Sequence, residues 1–461
     1  MDSKQIQVHL RLSIHCGLAI MAAGFAAAGT HVPAQDAQAL PAPIPPVVIT
    51  LEEAIHRAES SDANYAAAVA AGHSSVLDRS AAYVNLLPNA VYHNQGLYTQ
   101  PNGLQNQAGQ GESSQPAPRF IANNAVREYA SQAVISETLG LSSVAAVRLA
   151  QAQAAQATAE QEIARRGLVS AVTSLFYGSR AADHKLAVSQ RAQQEAADFT
   201  KLTTQREQAR ESAHADLVKA QLVEQARNRE FQDAQVEAEK ARLELGVLLF
   251  SDPRTPYTLS APDKPPTLAT RDDINAAAAR DNPQLKSAFA ALAESNAQVL
   301  AARASYLPNI GLNYTYGIDA PQFAANGPYA VHNLGYSVMI TVDIPVWDWL
   351  NTERRVKQSE IRRQSVQVAL SAAQRQLIAR FDEAYSGAVA ARDQLASLDL
   401  SVSTAAESLR LTKLAYTGGE ATVLEVVDAQ SAYVTAENAR EDGRVRYQAA
   451  LADLQTLTGT M

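Results

Sequence analysis

The sequence predicts a mainly α-helical chain with four β-strands, built from long antiparallel helical hairpins and arranged as an internal two-fold repeat. Three observations predict it. No proline occurs from Arg119 to Asp252 or after Pro345, so helical periodicity runs unbroken over two very long stretches. Two pairs of segments alternate apolar and polar residues with period two, the signature of strands. The order of signals in the first half returns in the second at a nearly constant offset.

At the N-terminus, Lys4 and Arg11 precede the apolar run Leu12 to Ala28, and small residues follow at Ala37-Gln38-Ala39. This predicts a signal peptide over residues 1–28, with cleavage as late as 39. A short membrane anchor is the weaker alternative, because His15, Cys16 and glycines interrupt the run and a spanning helix needs about 20 apolar residues. Cys16 is the only cysteine, so the mature chain is expected to lack disulfides and thiol chemistry. Residues 29–50, with Pro41 to Pro46 reading PAPIPP, are expected to form an extended tether.

The first repeat is assigned to residues 51–269 and the second to 270–461. Tyr65 matches Leu285 and Pro88 matches Pro308, both at an offset of 220. Later, ESAHADLVKAQ from Glu211 matches EATVLEVVDAQ from Glu420 at an offset of 209, so about eleven extra residues fall in the polar stretch Thr99 to Ala125. In each copy a helical segment is expected to end at the proline, which cannot continue a helix. Strands follow at about 89–99 and 127–139 in the first copy, and at about 309–318 and 334–344 in the second. Helical hairpins are then expected over 142–250 and 351–457. Their longer arms would each reach on the order of 100 Å at a rise of about 1.5 Å per residue.

Apolar residues make up 47% of the chain but aromatics only 6%, and the abundance of alanine suits close helix packing. A net charge of −8 excludes the basic footprint of a nucleic-acid partner. The nine histidines form no HExxH or HxH pair, and no phosphate loop or Ser-His-Asp pattern occurs. His56, His73 and His214 stand singly in helical segments. The chain is therefore expected to have no catalytic residue, metal or cofactor and not to be an enzyme.

Four strands cannot close a barrel, since small closed barrels need about eight. In a bilayer an open sheet edge leaves backbone groups unsatisfied at several kcal/mol each. Several chains are then required, and three would supply twelve strands. Tyr92, Tyr98, Tyr314 and Tyr316 are expected on strands as an aromatic belt near the bilayer, with 314 and 316 on one face. Trp347 and Trp349 flank the exit of the last strand; a membrane-interface role and packing under the strand-to-helix junction explain them equally well. The alternative is a secreted or envelope coiled-coil structural protein without a pore, but a rod has no need of tyrosine-bearing strands.

TLEEAIHRA at the first helix, LLPN and YLPN at the helix-to-strand turns, DIPVWDW at the strand exit and YTGGEATVLEVVDAQ near the end occur in this order. With these motifs the chain resembles the TolC-like outer-membrane efflux channels from Leu51 to Gly459. The resemblance implies a homotrimer in the outer membrane of a Gram-negative bacterium, in contact with outer-membrane lipid. A twelve-stranded barrel would continue into a periplasmic barrel of twelve helices, closed at its inner end until recruited. Its partners would be a periplasmic adaptor and an inner-membrane transporter, and its function that of an exit duct for tripartite efflux or type I secretion. Tyr416, Thr417, Gly418, Gly419 and Glu420 would be the tip that docks the adaptor. The first tip has Glu207 to Arg210 in place of Tyr416 to Gly419, so the two are not expected to dock equally well. The acidic lumen constriction of the family finds only one candidate here, Glu407, accompanied by Arg410 and Lys413.

Overall fold

The computed structural model describes residues 47–98, 127–260, 266–327 and 331–459. The expected signal peptide, Cys16, most of the tether and the polar stretch 99–125 lie outside the described residues. The end of the tether is not merely extended. Val47–Ile49 forms strand β1, which pairs in parallel with β4 (Tyr257–Leu259), and the buried Ile49 and Tyr257 join the core beneath.

The remaining elements come in two series. The first is α1 (Leu51–Ser61), α2 (Ala63–Val84), β2 (Asn89–Tyr98), β3 (Arg127–Leu139), α3 (Leu141–Gln208) and α4 (His214–Leu249). The second is α5 (Arg271–Asp281), α6 (Pro283–Ala304), β5 (Asn309–Ala320), β6 (Leu334–Asp343), α7 (Asn351–Gly418) and α8 (Val423–Thr458). Corresponding helices have equal lengths of 11, 22, 68 and 36 residues.

Local chemistry sets the boundaries. Thr50 and Thr270 cap α1 and α5 by accepting from the backbone N–H three residues on, and Asp62 and Asn282 do the same for α2 and α6. The helices before the strands stop at Val84 and Ala304, short of the prolines where the sequence suggested they would end. The proline disfavours helix in the residue before it, and the chain leaves through tight turns in which Leu87 N–H donates to Val84 and Leu307 N–H to Ala304.

The four long strands form one antiparallel sheet in the order β2-β3-β5-β6. Below it, α3 packs against α4, α8, α6 and α2, while α7 packs against α8 and α6. This puts α3 inside the layer, with α2 and α4 at one edge and α7 at the other. On α7 the buried residues Phe381, Ala388, Leu395, Val402, Leu409 and Tyr416 recur every seven positions. A strict seven-residue stripe is a narrow coiled-coil seam, and it leaves the rest of the helix exposed.

Arg166 in α3 fixes where three helices meet. Its buried guanidinium donates to the carbonyls of Thr456, at the C-terminal end of α8, and Asp281, at that of α5, at 3.0 and 3.2 Å. Glu162 balances the charge at 2.7 Å. Unpaired carbonyls and the negative end of the helix dipole make helix C-termini favourable places for a cation. Gly459, at φ 75°, caps α8 directly against this guanidinium, where a Cβ would collide with it.

Arg166→Ala should therefore destabilise the helical layer by about 3 kcal/mol, since it strips charged hydrogen bonds from buried carbonyls. Its neighbour Arg165 makes a partly exposed ion pair with Glu59 at 2.7 Å, and Arg165→Ala should cost under about 1 kcal/mol. Thermal unfolding followed by circular dichroism would check the ranking; equal losses would contradict it.

Candidate functional site

The pairing register divides the side chains of the sheet into two faces, because directly opposed residues in neighbouring strands share a face. One row contains Tyr92, Ala133, Tyr316 and Tyr336, and the next contains Ala90, Ile135, Tyr314 and Val338. Leu139, Ile310 and Val342 form a row at the end nearest the helices. By alternation Tyr98 and Tyr129 belong to this same face, so the four tyrosines singled out in the sequence are brought together with two more. The opposite face carries His93 and Gln132 in one row, Val134, Thr315 and Ser337 in another, and Asn309 with Asp343 at the helical end. The first face is mostly apolar and aromatic, with Asn94, Ser131 and Glu137 among its polar members; the other is mostly polar.

Along β6 the apolar face runs from Tyr336 to Val342, about 20 Å at roughly 3.4 Å per residue. Beyond it Ile344, Val346, Trp347 and Trp349 are exposed, and the two indoles meet edge to face at 5.9 Å. Trp349 and Leu350 both adopt left-handed backbone, with φ of 58° and 64°. Asp348 holds this junction by accepting from Thr352 N–H at 2.6 Å, at the first turn of α7.

At the far end of the hairpins the two tips lie side by side. Tyr416 is buried in a cluster with Phe199, Ala220, Val423 and Val426, one residue or more from each of the four long helices. Arg206 of α3 stacks on the Tyr416 ring, 4.5 Å from its centroid, and donates to the carbonyls of Tyr416 and Thr417 at 3.0 and 3.2 Å. Lys413 reaches across to Glu195 at 2.7 Å. Of the five tip residues, Tyr416 is thus a core residue that joins the hairpins and does not line the surface. Thr417, Gly418, Gly419 and Glu420 are exposed.

The helix continues through Gly418, and only Gly419 has positive φ, at 82°. Gly419 N–H donates to Tyr416 and Glu420 N–H to Ala415, which is the Schellman pattern. The first tip makes the same reversal without glycine. Arg210 sits at φ 63°, Arg210 N–H donates to Glu207 and Glu211 N–H to Arg206. The linking segment is one residue longer there, 209–213 against 419–422. Thr422 then starts α8 with a capping box to Glu425.

Glu407 is exposed and accepts from two guanidinium nitrogens of Arg410, Nε and Nη2, each at 2.8 Å. That hydrogen-bonded pair keeps its carboxyl below the usual glutamate range and cancels its charge locally. Between α3 and α8 the seam is polar in its middle: buried Glu437 accepts from Arg191 at 3.1 Å and from Tyr433 at 3.0 Å. Neither Arg206 nor Glu437 stands out in the sequence, since Tyr416 and Arg191, which they meet across the seams, lie 210 and 246 residues away.

Among the described residues no cluster of three or more His, Cys, Asp or Glu could hold a metal ion, and no helix is long and apolar enough to cross a membrane. A single sheet with one largely apolar, tyrosine-rich face and one mostly polar face is thus continuous with long helical hairpins.

Residues 274–460 match the family described as outer membrane efflux protein. The chain is 26% identical over 237 residues to the outer membrane protein OprJ of Pseudomonas aeruginosa, covering 50% of this chain and 48% of OprJ. The match thus spans about half the length of that relative. The fold is that of the Campylobacter jejuni CmeC outer membrane channel, with a TM-score of 0.74, 14% identity and coverage of 89% and 85% of the two chains. The outer membrane protein VceC of Vibrio cholerae is equally similar, with a TM-score of 0.74, 15% identity and coverage of 89% and 96%. Residues 274–460 thus carry the match to the outer membrane efflux protein family, and the chain as a whole shares the fold of CmeC and VceC.

The tips yield a stability prediction. Arg210→Gly should stabilise the first hairpin by about 1 kcal/mol, and Gly419→Ala should cost a similar amount, because a side chain in left-handed backbone is strained. Gly418→Ala should be neutral or slightly stabilising, since Gly418 is helical and nothing lies within 4 Å of an added Cβ. Unfolding midpoints of the three variants check this; a larger loss at 418 than at 419 would contradict it.

Proposed function

We propose that the protein is the outer-membrane exit duct of a tripartite efflux or type I secretion system, working as a homotrimer. The observation that carries this reading is the two-faced sheet whose two edge strands have no outer partner among the described residues. The apolar face suits lipid and the polar face suits a water-filled lumen. An edge in hydrocarbon must be paired, and three copies in a ring would pair every edge in a twelve-stranded barrel. The helical edges support the same closure. Val218, Leu222, Val236 and Leu243 on α4 and Ile361, Val368, Leu400 and Leu411 on α7 are exposed in the single chain, as unburied apolar stripes awaiting a neighbour.

In this reading the hairpins form a periplasmic cylinder of twelve helices. The equal helix lengths support an internal repeat, with 51–269 and 270–461 as its halves and six similar units around the axis. Residues 1–28 act as the signal, and 29–50 as the tether that ends in β1. The tyrosines and tryptophans on the sheet and its exit contact the two lipid interfaces. Thr417, Gly418, Gly419 and Glu420 dock a periplasmic adaptor, which brings the inner-membrane transporter; Tyr416 shapes the dock from beneath. Glu407, neutralised by Arg410, makes a weak constriction at most.

The purified protein in a planar bilayer should give discrete conductance steps. Silence from a correctly assembled trimer would favour a pore-free rod. Replacing Gly418 and Gly419 with proline removes the Gly419 N–H bond and forbids its positive φ, so dye efflux should be lost while trimer and membrane insertion persist. Normal efflux and normal adaptor cross-linking in that variant would refute the docking role.

A further inference from the structure

The trimer reading leaves open how one copy's edge strand registers with the next, and the chain carries that information in its own sheet. The β3–β5 pair joins the first half of the chain to the second. If the halves are equivalent units in a ring, the same joint recurs between β6 of one copy and β2 of the next. Placing β2 on β5 through Asn89 and Asn309 carries β3 onto β6, with Ser136 falling on Asp343. The observed pair Ser136 and Asn313 then becomes Asp343 opposite His93 of the next copy. Likewise Val134 with Thr315 becomes Thr341 opposite Gln95, and Gln132 with Gly317 becomes Met339 opposite Leu97.

We propose that the protomers are joined by antiparallel β6–β2 pairing in this register, with Asp343, Thr341 and Met339 of one copy opposite His93, Gln95 and Leu97 of the next. The inference rests on the trimer reading. Two features not used to obtain the register support it. First, the faces agree: the three pairs lie on the polar face of both strands, and between them Val342 meets Asn94 and Ile340 meets Gly96 on the apolar face. A slip of one residue would exchange the faces. Second, the chemistry matches in each pair: a carboxylate meets an imidazole, a hydroxyl meets an amide, and an apolar residue meets an apolar residue. Asp343 and His93 are the only ionisable side chains on the polar faces of β6 and β2. A slip of two residues would set Asp343 against Val91 or Gln95 and would separate Met339 from Leu97.

Cysteine cross-linking tests the register, and the chain's single native cysteine makes a clean background with Cys16→Ser. Directly opposed residues of antiparallel strands have Cα atoms about 4.5 to 5.5 Å apart, within the range a disulfide spans. Thr341→Cys would be combined in turn with His93→Cys, Gln95→Cys and Leu97→Cys, oxidised in membranes and read on non-reducing gels. The yield of covalent oligomer should be greatest with Gln95→Cys, several-fold above the other two. A second series with Met339→Cys should peak at Leu97→Cys, which guards against a position that impairs folding. Native mass spectrometry of the cysteine-free protein separates the two levels of the argument. A trimer whose cross-links peak elsewhere overturns the register, whereas a monomer without cross-links overturns the assembly reading itself.

Discussion

A β-strand at the edge of a sheet carries a row of backbone N–H and C=O groups that must be bonded to something. Water serves in a soluble protein, but in hydrocarbon each unsatisfied group costs several kcal/mol. The sheet here has its strands in the order β2-β3-β5-β6, and among the described residues the outer sides of β2 and β6 have no partner. Its apolar face is one that water does not favour. In the proposed reading, those two facts call for further strands, and further copies of the chain supply them. The exposed apolar stripes on α4 and α7 and the long paired hairpins take their meaning from that requirement.

The helical part meets a different demand. Its helices bury narrow seams and leave wide faces for neighbours or for a lumen, and the seven-residue stripe on α7 shows how little each seam uses. Thin apolar seams specify position weakly, and polar anchors supply what they lack. Arg166 gathers the C-terminal ends of α5 and α8 at one level, Arg191 and Glu437 fix the middle of the α3–α8 seam, and Arg206 locks the two tips around Tyr416. Buried charged groups seldom add much net stability, but they resist sliding, which suits long rods packed side by side.

Much of this architecture was legible in the residues. The absence of proline from Arg119 to Asp252 and after Pro345 foretells long helices, and 68-residue helices follow each strand pair. Alternation in NYTYG and its neighbours announces strands, because period two is a local property. Three kinds of feature were not legible. β1 is three residues long and exists only because β4, two hundred residues on, pairs with it. The burial of Tyr416 depends on Phe199 and Arg206 from the other hairpin, so a residue that reads as part of an exposed turn proves to be its core. The reversal at Arg210 lacks the glycine that marks Gly419, although both tips make the same hydrogen bonds. Local rules locate elements; contacts across hundreds of residues decide what a side chain does there.

The claim beneath all of this is that one face of the sheet meets lipid and the other meets water. A nitroxide scan along β6 in reconstituted membranes tests it most directly, one label at a time from Gly335 to Val342. Accessibility to oxygen, which concentrates in lipid, should peak at Tyr336, Val338, Ile340 and Val342. Accessibility to a polar nickel complex should peak at Ser337, Met339 and Thr341. A strong alternation of period two, with the two reagents out of phase, is the predicted result. Uniform access of the nickel complex at every position would place both faces in water and contradict the account.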